Sequence, residues 1–173
     1  STTSDLTLYG AREDDLLGAS GAVGDFNDDG IDDLAVSATG ADFGPLNDQR
    51  GDGFVYGVLG SETFQTGTHS IDFATTASDF LIVGDFEENL GALVTAGDFN
   101  GDGRIDVVAA SSISDDLIVY LQQIDGSLSA QPPISVAGPD EALAVASADL
   151  NGDALPDIAI VRGFTQDIFL YLN

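Results

Sequence analysis

The sequence contains no cysteine and no lysine, and His69 is its single histidine. Without cysteine neither disulfide bonds nor thiolate ligands are available, and one histidine cannot by itself build a zinc site. No G-x-S-x-G elbow or similar motif marks a catalytic nucleophile. No run of residues approaches the roughly 20 apolar residues of a membrane-spanning helix. These absences predict a protein that is not an enzyme and does not insert into a membrane.

The charge of the chain has almost one sign. Thirty Asp and Glu residues oppose four Arg, which gives a formal net charge of −26. Such a surface repels nucleic acids and anionic membranes, and it suits cations, basic partners or a salty medium. We therefore expect no nucleic-acid partner. Apolar residues make up 43% of the 173 residues, which predicts a folded core.

One acidic decapeptide occurs three times. Its copies are GDFNDDGIDD at 24–33, GDFNGDGRID at 97–106 and ADLNGDALPD at 148–157. Short β-branched runs bounded by Gly, Asp, Asn and Ser surround each copy, and no segment has a sustained 3.6-residue period. Each copy therefore predicts a four-stranded antiparallel meander, and helix content should be small. Because repeated four-stranded sheets are typical of β-propellers, the predicted fold class is all-β, built from propeller blades.

The repeat divides a single unit, residues 1–173, into three blade-equivalents. They cover roughly 17–84, 91–138 and 142–173. Residues 5–10 (DLTLYG) correspond to the strand that precedes the second and third copies, so they resemble the fourth strand of a further blade. In the alignment Tyr56, Tyr120 and Tyr171 stand at equivalent points of the third strands, and we expect them to pack between blades.

Each copy places oxygen-bearing side chains on alternate residues of a tight loop. Ca²⁺ takes six to eight oxygen ligands in a flexible shell, whereas Mg²⁺ prefers a tighter octahedron and keeps its waters. We therefore predict one calcium site in each of the first two copies. A third site in the third copy stays open. The predicted side-chain ligands are Asp25, Asn27, Asp29, Asp33, Asp98, Asn100, Asp102, Asp106, Asp149, Asn151, Asp153 and Asp157, and the predicted carbonyl ligands are Ile31, Arg104 and Leu155.

Two other interpretations of the motif compete with this one. An isolated copy can be a plain Asx turn within a hairpin. An EF-hand loop needs a bidentate Glu at its twelfth position, but Val36, Ala109 and Ile160 stand there, so that alternative fails. In the third copy Ala154 replaces the glycine and Pro156 stiffens the turn, which leaves metal binding by that loop open.

The repeats resemble FG-GAP (VCBS-type) repeats, the calcium-loop blades of integrin α-subunit propellers and of many bacterial surface proteins. DLLGASGAVGDFNDDGIDDLAVSATGA followed by GDGFVYGVLG is close to the family pattern, ENLGALVTAGDFNGDGRIDVVAAS matches well, and ALAVASADLNGDALPDIAI is weaker. The resemblance implies structural calcium, an extracellular or cell-surface location, and recognition at the face opposite the metal loops. The ligand-binding residues it implies there are Glu13, Asp14, Asp15, Glu87, Glu88, Asp140 and Glu141, although ordinary solvated loops would look the same.

The chain departs from the family in its number of blades. The family usually builds seven, and three blade-equivalents cannot close a ring, because propellers run from about four to eight blades. In a homodimer, residues 5–10 of each chain could complete the last blade of the other, which would give six blades with no open edge. The rival interpretation is that the sequence is a piece of a longer array.

Together, the residues and the resemblance predict a non-catalytic calcium-binding propeller module that binds a protein or a glycan, for example in adhesion. One alternative is an architectural or assembly role within a larger protein. A carbohydrate-active enzyme with paired carboxylates is the less favoured alternative, because the loops already use nine of the carboxylates.

Overall fold

The structure is a computed structural model that describes residues 4–42, 51–65, 67–85, 89–114, 116–136, 142–162 and 167–173. In these ranges the chain is all-β, which confirms the predicted fold class: it contains strands, one short 3-10 helix and no α-helix. None of the described segments forms a helix long and apolar enough to cross a membrane.

The strands form three blade-like antiparallel sheets and one small parallel sheet. The parallel sheet consists of β1 (Ser4–Tyr9) and β5 (Gly67–Asp72), and the 3-10 helix Glu62–Gln65 precedes β5. Blade 1 consists of β2 (Leu17–Gly24), β3 (Asp33–Ala38), β4 (Phe54–Val58) and β6 (Phe80–Val83), in that order. Blade 2 consists of β7 (Leu90–Gly97), β8 (Asp106–Ser111), β9 (Asp116–Gln122), β10 (Leu128–Ala130) and β11 (Ile134–Ser135). Blade 3 consists of β12 (Ala142–Ala148), β13 (Asp157–Arg162) and β14 (Ile168–Tyr171).

The fourth strand of blade 2 differs from the prediction. The sequence predicted a four-stranded meander with one continuous fourth strand, but β10 and β11 both pair with β9 and are separated by Pro132 and Pro133. Proline has no N–H to donate to the ladder, so the edge strand breaks there into two short pieces.

Strand β1 also differs from the prediction, because it has a partner within its own chain. Its backbone pairs in parallel with β5, from Ser4 opposite Gly67 to Tyr9 opposite Asp72. Strand β5 lies between β4 and β6, in a segment for which the sequence predicted no strand. Any exchange of residues 5–10 between two chains must therefore account for the pairing of β1 with β5.

The tyrosine alignment is only partly correct. Tyr120 and Tyr171 each pair with the residue that directly follows the last aspartate of the repeat loop. Tyr56 instead pairs with Val36, which is three residues after the last aspartate of its loop. Val58 occupies the tyrosine position in blade 1. Tyr56 and Tyr120 are buried as expected, but Tyr171 is 36% exposed, so its prediction as a packing residue between blades is wrong.

Apolar clusters fill the spaces between neighbouring blades. The first cluster joins Ala35 and Val55 of blade 1 to Val94, Val107 and Tyr120 of blade 2. The second cluster lies between blades 2 and 3, with Val108, Leu117, Ile158 and Ile160 among its buried residues. A third cluster covers the other face of blade 1, where Leu8 of β1 and Phe73 pack against Val36, Phe54 and Tyr56. Burial of these small and β-branched side chains on both faces of the central strands holds the sheets together.

The first strands of the blades are also joined by hydrogen bonds that cross from one blade to the next. The Val94 amide donates to Ser20 Oγ at 2.9 Å, and Ser147 Oγ donates to the Ala96 carbonyl at 3.0 Å. Strand β7 thus lies between β2 and β12, and the three blades follow one another in chain order.

Candidate functional site

The three repeat loops hold the same place in their blades. Loop 1 (25–33) joins β2 to β3, loop 2 (98–106) joins β7 to β8, and loop 3 (149–157) joins β12 to β13. Each loop therefore connects the first and second strands of its blade and begins where the first strand ends. The side-chain ligands predicted from the sequence all lie within these loops, four in each.

The first aspartate of each loop accepts hydrogen bonds from amides further along the same loop. Asp25 Oδ1 accepts from the Asp29 amide at 3.0 Å and Oδ2 accepts from the Gly30 amide at 2.8 Å. Loop 2 repeats both bonds, and in loop 3 the carboxylate of Asp149 accepts from the Gly152 and Ala154 amides. The Gly152 amide is the main reason why the pKa of Asp149 lies below its usual value. Short polar side chains favour such turns by bonding to nearby backbone.

The third and fifth residues of the loop continue this pattern. Asn27 Oδ1 accepts from the Asp29 amide at 2.9 Å, and Asp29 Oδ1 accepts from the Ile31 amide at 2.8 Å. The corresponding bonds occur in loops 2 and 3. The Asx-turn interpretation is therefore correct as a description of the loop backbone, and it leaves room for metal binding because each oxygen keeps a further lone pair.

The last aspartate of the loop is a buried connector. Asp106 Oδ2 accepts from the Phe99 amide at 2.9 Å, and its Oδ1 accepts from the Gln122 amide at 2.8 Å. Asp33 and Asp157 make the same pair of bonds in their own blades. Each of these carboxylates therefore ties the start of its loop to the end of the third strand, a role that spacing alone did not reveal.

Burial raises the pKa of Asp33 and of Asp106 above the usual value for aspartate. Each of the two amides bonded to the carboxylate lowers the pKa, but by less than burial raises it. The neighbouring loop aspartates raise it further, Asp29 and Asp25 in loop 1, and Asp102 and Asp98 in loop 2. The loops thus concentrate negative charge around a carboxylate that has lost part of its water, and a cation would relieve that repulsion.

The donor set of each loop fits calcium by its chemistry. Three carboxylates and one carboxamide provide the hard oxygen ligands that Ca²⁺ prefers. As the side chains stand, no three His, Cys, Asp or Glu residues within the described ranges lie close enough together to hold a metal ion. The carboxylates would therefore have to turn toward an ion, and the carbonyls of Ile31, Arg104 and Leu155 stay predicted ligands.

Comparison with protein families identifies the repeats. A model of the FG-GAP repeat matches residues 17–58, and a model of the FG-GAP-like repeat matches residues 98–160. The two matches together span more than half of the chain. The chain contains FG-GAP-type repeats. No curated protein matches it.

The matched segments agree with the architecture described above. The first FG-GAP match contains β2, loop 1, β3 and β4, and the second runs from loop 2 to β13, so it includes loop 3. FG-GAP repeats form β-propeller-like folds, are typical of extracellular proteins and typically act as non-catalytic binding modules. At this level the family agrees with the sequence-based prediction of fold and of general role.

Arg104 is a loop residue whose side-chain role sequence reasoning missed. Its guanidinium forms an ion pair with Asp102, and its Nε donates to the Gln122 carbonyl at 3.0 Å. The signal was present, because Arg104 is the single basic residue in the three FG-GAP loops. Loop 2 therefore carries one built-in countercharge that loops 1 and 3 lack.

Loop 3 holds a non-glycine residue in a backbone conformation that favours glycine. Ala154 has φ = 74°, close to the φ of 85° at Gly30 and 89° at Gly103. The left-handed region costs an L-residue roughly 1–2 kcal/mol. The weaker third FG-GAP copy therefore keeps the loop shape of the other two and stores strain at this position.

Replacing Ala154 with glycine is expected to raise the free energy of unfolding by about 0.5–1 kcal/mol, because relief of the strain exceeds the entropy cost of glycine. The matched reverse change is Gly30→Ala, where φ is also positive and a Cβ would meet nothing within 4 Å. It should lower the free energy of unfolding by about 1 kcal/mol. Urea unfolding with calcium chelated measures both, and shifts of the same sign in the two variants would contradict the argument.

The acidic residues predicted on the opposite face divide into three groups. Glu13 and Asp14 are exposed and lie between β1 and the start of β2, away from loop 1 at the end of β2. Asp15 is buried and accepts from the Arg12 amide at 2.8 Å, so it shapes its own turn and is not part of an exposed rim. The four remaining predicted ligand-binding residues, Glu87, Glu88, Asp140 and Glu141, lie outside the described residues.

Proposed function

We propose that this FG-GAP chain is an extracellular, calcium-binding propeller module that binds a protein or a glycan and performs no chemistry. The observation that carries the calcium proposal is the threefold repetition of one hydrogen-bonded loop. Each copy gathers three carboxylates and one carboxamide and places one of those carboxylates in a buried position. The predicted ligands of the three loops include nine carboxylates, and the loops contain one basic residue, Arg104. This excess of negative charge, repeated in three copies, favours a bound cation over three plain turns.

Calcium would be structural in this proposal. In loop 1 the residues that would hold it are Asp25, Asn27, Asp29 and Asp33, and loops 2 and 3 would use their equivalents. A bound Ca²⁺ supplies positive charge and accepts several oxygen ligands at once. Three ions would reduce the formal charge from −26 to −20. The chain's own residues tie the first strand of each blade to the second, and each final aspartate links its loop to the third strand.

The proposed recognition surface lies at the end of blade 1 opposite loop 1, where Glu13 and Asp14 are exposed. A net charge of −26 favours a basic protein surface, or a glycan that binds through a shared cation. An assembly role remains a second candidate. It is favoured by a specific observation, the exposed apolar side chains of blade 3, among them Ile168 and Leu170.

The binding proposal is tested on arrays of glycans and of basic proteins, probed with the chain in millimolar calcium and again in excess chelator. We expect reproducible binding in calcium, weakened about 10-fold or more when Glu13→Gln and Asp14→Asn are combined, since hydrogen bonds to charged groups typically contribute about 1.5–3 kcal/mol. Asp125→Asn is the matched control, because Asp125 is an exposed aspartate in the β9–β10 turn. No reproducible binding in either condition would reject the recognition role and favour the assembly role.

A further inference from the structure

The two contacts between neighbouring blades are built from equivalent residues. In blade 1 the fifth residue of the second strand, Ser37, pairs with Val55 of the third strand. In blade 2 the fifth residue of the second strand, Ala110, pairs with Leu117 of the third strand. Both Val55 and Leu117 are buried against the following blade. The equivalent pair in blade 3 is Val161 and Ile168.

Blade 3 presents this same apolar face to solvent. Ile168 is 62% exposed and Leu170 is 50% exposed, and Val161 beside them is exposed too. Within the described residues no strand pairs with the outer edge of β14 and no apolar cluster covers this face. The face has the composition of a contact between blades, and exposed apolar patches of this kind mark interaction sites.

The second residue of each repeat loop is apolar, and in two of the loops it inserts into the following blade; we call this residue the plug. Phe26 of loop 1 is 2% exposed and packs with Val107 and Tyr120 of blade 2. Phe99 of loop 2 is 7% exposed and packs with Ile158 of blade 3. The third plug, Leu150, is 54% exposed. Two plugs are thus seated in the following blade, and the third has no seat within the described part of the chain.

We call the apolar position that receives a plug its seat. Blade 1, at the other end of the row of three blades, has an empty seat. On blade 1, Leu34 and Val58 hold the positions that Val107 and Tyr120 hold on blade 2, by their distance from the last loop aspartate. They line a cavity of about 240 Å³ together with Val23 and the β1 residue Leu6. The chain therefore carries one unused plug on blade 3 and one unused seat on blade 1.

The strand edges are complementary in the same way. Ile82 of β6, the fourth strand of blade 1, packs with Ala109 of blade 2, and Val136, just after β11, packs with Ile160 of blade 3. Leu8 of β1 packs in the same way on Val36 of blade 1. Strand β1 thus stands where the fourth strand of a preceding blade would stand, and blade 3 has three strands without a fourth among the described residues.

We propose that a second copy of this chain fills both vacancies, so that two chains close a six-bladed ring. Strand β1 of each chain becomes the fourth strand of blade 3 in the other, and Leu150 of each enters the cavity at Leu34 and Val58 of the other. Transferring the β4–β6 register, in which Val55 faces Ile82, places Ile168 opposite Leu8. The β1–β5 pairing is retained, because β5 uses one edge of β1 and β14 uses the other. Six blades lie within the range of closed propellers, and two-fold symmetry is the commonest in oligomers.

A second copy fits these vacancies because one molecule carries both members of every matching pair. The plug and the seat, the third strand and the fourth, and the two apolar faces are present once each on one molecule, at opposite ends of the arc. Asp32 is the exception, since it lines the cavity at the position held by Ile105 in blade 2 and Pro156 in blade 3. Its carboxylate weakens the contact, which provides a variant that should tighten it.

The first experiment uses light scattering on a sizing column, with calcium and with chelator. The expected mass is about twice the 17.8 kDa of one chain. Ile168→Asp and Leu150→Asp should each raise the dimer dissociation constant by about 100-fold or more, because each buries a charge in an apolar contact. Ile124→Asp should leave the dimer intact, because Ile124 is 94% exposed in the β9–β10 turn, and Asp32→Ile should lower the dissociation constant. A mass of 17.8 kDa at all protein concentrations, in both conditions, would overturn the proposal.

The second experiment tests the register with cysteines, which the chain otherwise lacks. Chains with Leu8→Cys and chains with Ile168→Cys are mixed and oxidised, and we expect a cross-linked heterodimer, because opposed strand residues lie within the 4.4–6.8 Å that a disulfide spans between Cα atoms. Ile124→Cys mixed with Ile168→Cys is the control and should not cross-link. In a chain that carries both Leu8→Cys and Ile168→Cys, a disulfide within one chain or a ladder of long polymers would also overturn the closed two-chain ring. Calcium dependence is read separately: a dimer that persists in chelator supports this proposal, and the unfolding measurements alone then decide the calcium proposal.

Discussion

Asp106→Ala is expected to lower the free energy of unfolding by about 2–6 kcal/mol, even with all calcium removed. The change leaves the buried amides of Phe99 and Gln122 without an acceptor, and each unsatisfied buried donor costs about 1–3 kcal/mol. Burial raises the pKa of Asp106, so the ionised carboxylate already bears a desolvation cost, and the loss should fall short of the upper limit. Urea unfolding in excess chelator measures the difference.

Two further variants separate this role from metal binding. Asp106→Asn keeps one acceptor oxygen and should recover about half of the loss. Asp125→Ala removes an aspartate that bonds to Ser127 in an exposed turn, and it should cost less than about 1 kcal/mol. If Asp106→Ala unfolded at the same urea concentration as the unchanged chain in chelator, the carboxylate would matter only as a metal ligand and the connector role would be wrong.

Calcium is expected to produce the second large effect. An ion that binds only the folded chain stabilises it by about 2.7 kcal/mol when its concentration is 100 times the dissociation constant. Two independent loops would therefore raise the free energy of unfolding by about 5 kcal/mol, and a third loop would add to this. Magnesium should do less, because it prefers a tighter octahedron and keeps its waters. The measurement compares urea unfolding in calcium, in magnesium and in chelator.

Loop variants assign this stabilisation to the repeats. Asp25→Asn and Asp98→Asn keep the shape of the side chain and remove one charge from loop 1 or loop 2, so each should remove most of the calcium contribution of its loop. In chelator each should lose at most about 1 kcal/mol of stability, because Asn keeps one of the two acceptor oxygens and the amide that loses its bond is exposed to water. Asp125→Asn, outside the loops, should keep the full calcium effect. Identical unfolding curves in calcium and in chelator would rule out structural calcium.

The sequence predicted the regular part of the fold well because its evidence is local. Short apolar runs between turn residues defined the first, second and third strands of each blade, and the repeated acidic motif set their register against one another. The loops from Asp25, Asp98 and Asp149 lie where the motif predicted, because alternating Asp and Asn side chains bond to amides within five residues. Interactions over so short a distance in the chain depend little on the rest of the molecule.

The errors lie where distant segments meet. Strand β1 pairs with β5, about sixty residues away, and no local pattern in DLTLYG or GTHSID indicates that parallel pairing. Tyr56 was aligned two residues out of register, because the sequence alignment matched one tyrosine to another. In the structure the last loop aspartates of blades 1 and 2 accept from the amides of Gly60 and Gln122, so these two residues are equivalent. Asp15 looked like an exposed acid beside Glu13 and Asp14, but the turn it closes buries it.

By itself, the sequence determined that this chain is an all-β FG-GAP repeat protein with three acidic loops, because the spacing of strands, turns and oxygen-bearing residues is written along a short stretch of chain. Only the tertiary structure decided which of those carboxylates are buried connectors, which loop has its own arginine, and which plug, seat and strand edge remain unpaired. Burial, pairing and vacancy are properties of surfaces brought together from distant residues. They arise only when the blades pack against one another.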